Sequence, residues 1–194
     1  MRSERTLTQR QAQRRQRVLR TALELAGEGG YEGVQMREVA ERADVALGTV
    51  YHYFTSKDHL LAETLAEWLR GLEANVARNP ARGDTTLERV LDLLRRTTRA
   101  MQSNQKVSAA LIGGLVAEGE QVAACQQEMH EMFSAMLGTA FPPDYPRDRR
   151  DKIIRSLEHI WFSELIGWKN GWNPFEQSVR ELEDAAELFL AGDH

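Results

Sequence analysis

Along this chain apolar residues recur three and four positions apart, not two, and glycine and proline clusters cut the runs. That spacing lays apolar side chains along one stripe of an α-helix, whereas a half-buried strand needs strict alternation. The chain is therefore predicted to be all-α, with about nine helices. Breaks at Gly27, Gly29 and Gly30, at residues 79–84, at Pro142, Pro143 and Pro146, and at Asn173-Pro174 place them. Helices are expected over 10–27, 36–43, 47–54, 57–77, 85–101, 107–117, 120–139 and 147–169, with a last one after Asn173. Start signals support three of these: Ser56 as an N-cap, the Thr85–Glu88 capping box, and Asn173 as N-cap followed by Pro174 and Glu176. Gly113 and Gly114 inside a helix predict close backbone packing, a kink, or room beside a pocket. The 57–77 helix would be about 30 Å long, enough to belong to two units. Residues 10–57 and 58–194 are the expected domains, with that helix bridging them.

The stretch from Val34 to Lys57 points to function. Val39, Ala40 and Ala43 form the inner face of its first helix, and Leu47, Val50 and Phe54 that of the second. Gly48, Thr49 and His52 then point away, with Tyr51 and Tyr53 on the flanks. A short helix with small and hydrogen-bonding residues outward is a poor core element and a good fit to a DNA major groove. The reading is a helix-turn-helix. A net charge of −4 at first argues against nucleic acid. Its distribution reverses that: residues 1–57 carry ten Lys/Arg against seven Asp/Glu, and residues 58–194 carry 15 against 22. Local positive charge, not the chain total, attracts phosphates. The arm formed by Arg2, Arg5, Arg10, Arg14 and Arg15 is read as either phosphate- and minor-groove-reaching or simply solvated.

Gly48-Thr49-Val50-Tyr51-His52-Tyr53-Phe54 and Ser56-Lys57, preceded by Ala40-Glu41-Arg42-Ala43, resemble the reader of the TetR family of bacterial regulators. The resemblance at motif level covers residues 10 to 75. It implies an operator-binding homodimer whose C-terminal half senses a small molecule. It also implies base contacts from Arg37, Thr49 and His52, phosphate contacts from Tyr51, Tyr53 and Lys57, and close backbone approach at Gly48. Tyr51 as core packing and Lys57 as a plain surface charge are the bland alternatives. Two positions depart from the family pattern. Asp44 stands where glycine is usual in the turn, and Asp tolerates the left-handed conformation better than most residues. Ala46 stands where Ser or Thr usually caps the second helix, which removes a cap worth about 1 kcal/mol. Residues 35–46, with Ile160-Trp161-Phe162-Ser163, Gly167-Trp168 and Glu183-Asp184-Ala185-Ala186, are similar to the actinobacterial regulators of sterol catabolism (the KstR group). That likeness implies a coenzyme A thioester of a steroid breakdown intermediate as effector.

In the second half, Trp68, Met101, Met129, Met132, Phe133, Met136, Trp161, Phe162 and Trp168 are the candidates to line an apolar cavity between helices, or else are ordinary core. Arg95, Arg96 and Arg99 are read as the solvated face of their helix in preference to an anion site. Ile153, Leu157, Trp161, Trp168, Leu182 and Phe189 are the candidate dimer contacts, since their helices carry apolar stripes and tryptophan. Ligand binding would shift the long bridging helix and alter the spacing of two recognition helices, which fit successive major grooves about 34–36 Å apart.

No nucleophile elbow, P-loop, zinc spacing or dinucleotide fingerprint occurs, and the five histidines are scattered. The expectation is no enzyme, no cofactor and no metal. The single cysteine, Cys125, excludes an internal disulfide and fits a reducing cytoplasm, and no apolar run reaches the roughly 18 residues of a membrane span. The alternative left open is a helical ligand-binding or interaction module without operator binding.

Overall fold

The computed structural model describes residues 9–192 and, among them, nine helices and no strand. They are α1 (Gln9–Gly33), α2 (Met36–Arg42), α3 (Leu47–Tyr53), α4 (Lys57–Arg78), α5 (Thr86–Gln102), α6 (Gln105–Leu115), α7 (Glu120–Gly138), α8 (Arg147–Lys169) and α9 (Phe175–Leu190). Arg2 and Arg5 of the basic arm lie outside the described residues.

Local chemistry accounts for most boundaries. Ser56 caps α4 by accepting from His59 N at 3.0 Å. The capping box closes α5: Glu88 N donates to Thr85 Oγ1 at 3.2 Å, and Thr85 N donates to Glu88 Oε2 at 3.0 Å. Those backbone hydrogen bonds from Thr85 and Asp84 also hold the Glu88 carboxyl below its ordinary range. Three expectations need correction. The first helix does not stop at Gly27; it runs on and breaks at Gly30, with φ 65° and ψ −155°. α6 covers Gly27, where an added Cβ would meet Val107 at 3.6 Å. Tertiary contact thus holds helical a residue about 1 kcal/mol worse than alanine there. α6 begins at Gln105, two residues early, because the Asn104 side chain accepts from Val107 N at 3.2 Å. Asn173 is not the cap of α9: Pro174 holds that position, and Asn173 Nδ2 donates to Glu164 at 3.4 Å. Phe175 is drawn fully into the core, edge-on to Trp168 (5.0 Å) and Trp161 (6.3 Å), and sets the helix start.

α1 packs against α2, α4 and α6; α4 runs between α6 and α7; α8 pairs with α9, which lies on α5. The glycine pair in α6 marks close packing. A Cβ on Gly114 would fall 2.5 Å from Leu61 Cβ and 2.9 Å from the Asp58 carbonyl oxygen. Backbone thus meets helix without an intervening side chain. One continuous apolar core includes Val18, Ala22, Val39, Val50 and Phe54 of the first three helices and Leu94, Phe133, Leu157 and Leu182 beyond them. The division at residue 57 is not a gap in packing.

The candidate dimer contacts change their meaning here. Ile153, Leu157, Trp161 and Leu182 are buried within a single chain, and Trp168 and Phe189 are half-buried against the same core. Ile153, Leu157, Trp161 and Leu182 thereby join α8 and α9 to the interior, while Trp168 and Phe189 keep part of their surface outside it. The large apolar side chains left outward nearby are Phe162 (39% exposed), Trp172 (71%) and Leu188 (77%).

Candidate nucleic-acid interface and ligand cavity

α3 is held by its apolar side. Val50 and Phe54 are fully buried and Leu47 is half-buried, worth roughly 1.5–3 kcal/mol for each full burial. The turn before it places Asp44 at φ 52°, the left-handed conformation anticipated for that position. Ala46 occupies the N-cap and offers no side-chain hydrogen bond. With the apolar side fixed, Gly48, Tyr51 and His52 are exposed and Thr49 is partly so. An added Cβ on Gly48 would meet nothing within 4 Å, so packing within the described residues gives no reason for glycine there. Arg37 is exposed in the first turn of α2, and Tyr51 is half exposed, against its reading as core.

The remaining anchors are less free than expected. Tyr53 is half-buried and its hydroxyl donates to the Gln11 carbonyl at 3.4 Å. Lys57 Nζ lies 3.8 Å from the Tyr31 ring centroid, donates to the Tyr31 carbonyl at 3.3 Å, and stands 3.7 Å from Glu32. Tyr31 in turn donates its hydroxyl to Asp58, and burial followed by that contact pushes its pKa up to about 12. Lys57 therefore braces the start of α4 whatever else it touches. Arg10 and Arg14 are exposed along α1, but Arg15, which shares the arm's two readings as phosphate-reaching or solvated, points inward. It pairs with Glu63 and lies 5.6 Å over the Phe54 ring.

Sequence reasoning missed the network that Arg15 enters. Glu63 sits in the second turn of α4, on its buried face. It takes Arg15 from α1 and, at 3.0 Å, Arg70 from two turns further along α4. Arg70 also pairs with Glu67 at 2.7 Å and grips both oxygens of Glu128 on α7 at 2.8 Å. Burial raises the Glu63 pKa, but Arg15 and Arg70 outweigh it and leave the carboxyl below its ordinary value. The available signal was a glutamate and an arginine seven residues apart on an otherwise apolar helix face, which need partners if buried. Cys125 donates to Glu63 Oε2 at 3.4 Å; burial and then the Glu63 charge push its thiol up to about 12. His59, Glu63 and Cys125 lie close enough together to suggest a metal site. The carboxylate of that group is already held by two guanidiniums, those of Arg15 and Arg70.

Between α4, α5, α6, α7 and α8 lies a cavity of about 280 Å³. Trp68, Met101, Met129, Phe133, Trp161 and Phe162 line it, as do the unforeseen polar residues Thr97, Gln126, His130, Glu158 and His159. Met136 is not among its lining residues; it is buried core, as is Met132 beside Ala66 and Leu69, while Trp168 is half-buried against Phe175. Arg95 is tied to Glu183 at 2.9 Å, and Arg96 donates to the Pro80 carbonyl at 3.2 Å, so these two arginines staple α5 to its surroundings. Among the described residues no helix is long and apolar enough to cross a membrane.

Residues 18–64 match the family described as bacterial regulatory proteins, tetR family, and residues 83–189 match the tetracyclin repressor-like C-terminal domain. The HTH-type transcriptional repressor KstR of Rhodococcus jostii (strain RHA1) is 35% identical over 180 residues, 93% of this chain and 84% of that protein. A TetR transcriptional regulator from Rhodococcus sp. RHA1 superposes with a TM-score of 0.82 at 27% identity, covering 95% of this chain and 99% of its own. Thermus thermophilus FadR, a TetR-family repressor solved in complex with lauroyl-CoA, superposes at 0.71 over 92% of this chain and 94% of its own. At 22% identity that last likeness is one of fold.

Proposed function

We propose that this chain, which belongs to the TetR family of bacterial regulatory proteins, is a sequence-specific DNA-binding repressor that leaves its operator when a small, largely apolar effector fills the cavity between α4 and α8. The observation that carries the reading is α3. Its apolar side is locked into the core while its outer face carries an exposed glycine that no packing among the described residues requires, flanked by Thr49, Tyr51 and His52. A bare backbone at Gly48 lets the helix approach a duplex closely. In this reading Arg37, Thr49 and His52 read base edges, and Tyr51, Tyr53 and Lys57 hold phosphates. Residues 10–57 are the reader, and residues 58–194 form the sensing and pairing half, with α4 shared. Two copies pair through the outward faces of α8 and α9, where Phe162 and Leu188 are exposed.

Release follows from connectivity. α7 lines the cavity with Gln126, Met129 and His130 and, through Glu128, grips Arg70. Arg70 shares Glu63 with Arg15 of α1, which lies over Phe54 just beyond α3. A ligand that moves α7 therefore acts on both ends of the reader, by a coupling of about 1–3 kcal/mol. The effector is an apolar molecule or an acyl-CoA-type thioester, including steroid-derived ones. The protein works in the cytoplasm and carries out no catalysis.

Footprinting upstream of its own gene tests this, with and without acyl-CoA thioesters, together with a salt titration. A reader loses duplex affinity steeply as salt rises, because condensed counterions are released on binding. Absence of any duplex-specific binding would reduce the protein to a ligand-binding or interaction module.

A further inference from the structure

Three residues of the effector cavity, Leu65, Trp68 and Met101, also line a second cavity, of about 350 Å³. α1 contributes Leu23, Glu24 and Gly27 to it, α5 contributes Ala100, and α6 contributes Leu111. Leu65, Met101 and Leu111 are buried, whereas Leu23, Glu24 and Ala100 are exposed, so the second cavity runs from the core out to the surface beside α1. The first cavity alone, at about 280 Å³, falls short of the roughly 300–1,000 Å³ of small-molecule sites, and the two volumes together fall inside that range. Among the three shared residues Met101 is the adaptable one, because an unbranched thioether on three rotatable bonds changes shape at little cost.

We infer that the effector is an elongated apolar molecule that displaces the Met101 side chain and fills both cavities, its far end lying against Leu23 and Gly27 of α1. The inference rests on the first cavity being the effector site. Glu24, Ser103 and Asn104 are exposed where the second cavity meets the surface. A polar group at the far end of the molecule therefore stays hydrated there and escapes the penalty of burial. α1 belongs to the reader: its Arg15 lies over Phe54, and its Gln11 carbonyl accepts from Tyr53. A molecule of this length touches the reader itself, whereas one confined to the first cavity reaches it through α7, Glu128 and Arg70.

The test is isothermal titration of the full chain with straight-chain primary alcohols of rising length: hexanol, octanol, decanol and dodecanol. Neighbouring helix axes stand about 8–10 Å apart, so hexanol reaches across about one gap and dodecanol across about two. Wild type is expected to bind each longer alcohol more tightly, by about fourfold per added methylene, up to dodecanol. Ala100→Trp and Leu23→Trp, both at exposed positions of the second cavity, are expected to stop that rise beyond octanol and to leave hexanol binding unchanged. A wild-type series that levels off at octanol, which needs no variant, overturns the inference. So does a loss shared equally by all four alcohols in the variants, or a series that neither variant alters. If none of the alcohols binds, the first cavity takes no apolar ligand and the sensor reading falls with the inference; hexanol binding without the later rise removes the inference alone.

Discussion

Replacing Glu63 by Gln tests the network that joins reader to sensor. The substitution keeps the shape and one acceptor but removes the charge that Arg15 and Arg70 share. Removing one partner of a buried ion pair costs about 3–5 kcal/mol. Arg70 keeps Glu67 and Glu128, and both arginines are partly exposed, at 21% and 32% of their side chains. Water therefore screens part of the loss, and about 2–3 kcal/mol is the reasoned value. For a chain of this size that lowers Tm by roughly 4–12 °C, provided protein concentration is fixed, since pairing adds to apparent stability. The pH dependence follows from the depressed carboxyl. A group whose folded pKa lies below its unfolded value, here 4.5, contributes fully above 4.5 and loses that contribution as pH falls through the folded pKa. The gap between wild type and Glu63→Gln should thus be widest at neutral pH and close in acid. Urea melts from pH 7 downward measure it. A gap that is absent at pH 7, or that widens in acid, refutes the assignment of Glu63 as a charged node.

Gly48→Ala should raise stability by up to about 1 kcal/mol, because the new Cβ meets nothing and alanine favours the helix; a melt and an operator titration together should show this gain with a loss of DNA affinity. His52→Ala should alter sequence preference by about 1–3 kcal/mol at one base position, whereas Lys57→Ala should weaken all duplexes alike. Lys57→Ala should also lower Tm, since Lys57 caps the Tyr31 ring and carbonyl; binding to operator variants and a thermal melt separate the two effects. Gly114→Ala should destabilise by about 1–3 kcal/mol by forcing α6 away from α4, read by denaturant unfolding.

Elements with long periodic stripes were legible in the residues: α8 was placed at Arg147–Lys169 from its apolar spacing and flanking prolines alone. The outer face of α3 was legible too, because its buried set, Val50 and Phe54, leaves only one side free. What could not be read was which partner a stripe meets. The spacing of Leu157 and Leu182 says that they are buried but not that they meet within one chain. The inward turn of Arg15 escaped for a related reason: its attractor, Glu63, is 48 positions away, and composition places an arginine in a basic run whether it faces phosphate or carboxylate. Met136 illustrates a finer limit. It shares a helix stripe with Phe133, yet about one turn decides between cavity wall and solid core.

The four tryptophans give the protein an optical consequence. Trp68 and Trp161 face the cavity, Trp168 is wedged against Phe175, and Trp172 is largely in water. Indole emission moves to shorter wavelength as its surroundings lose water. Filling the cavity would therefore blue-shift the emission of two indoles, while Trp172 would contribute a constant long-wavelength background. Replacing Trp172 would strip that background and leave emission weighted toward the indoles of the cavity, so the chain would report its own occupancy without a dye.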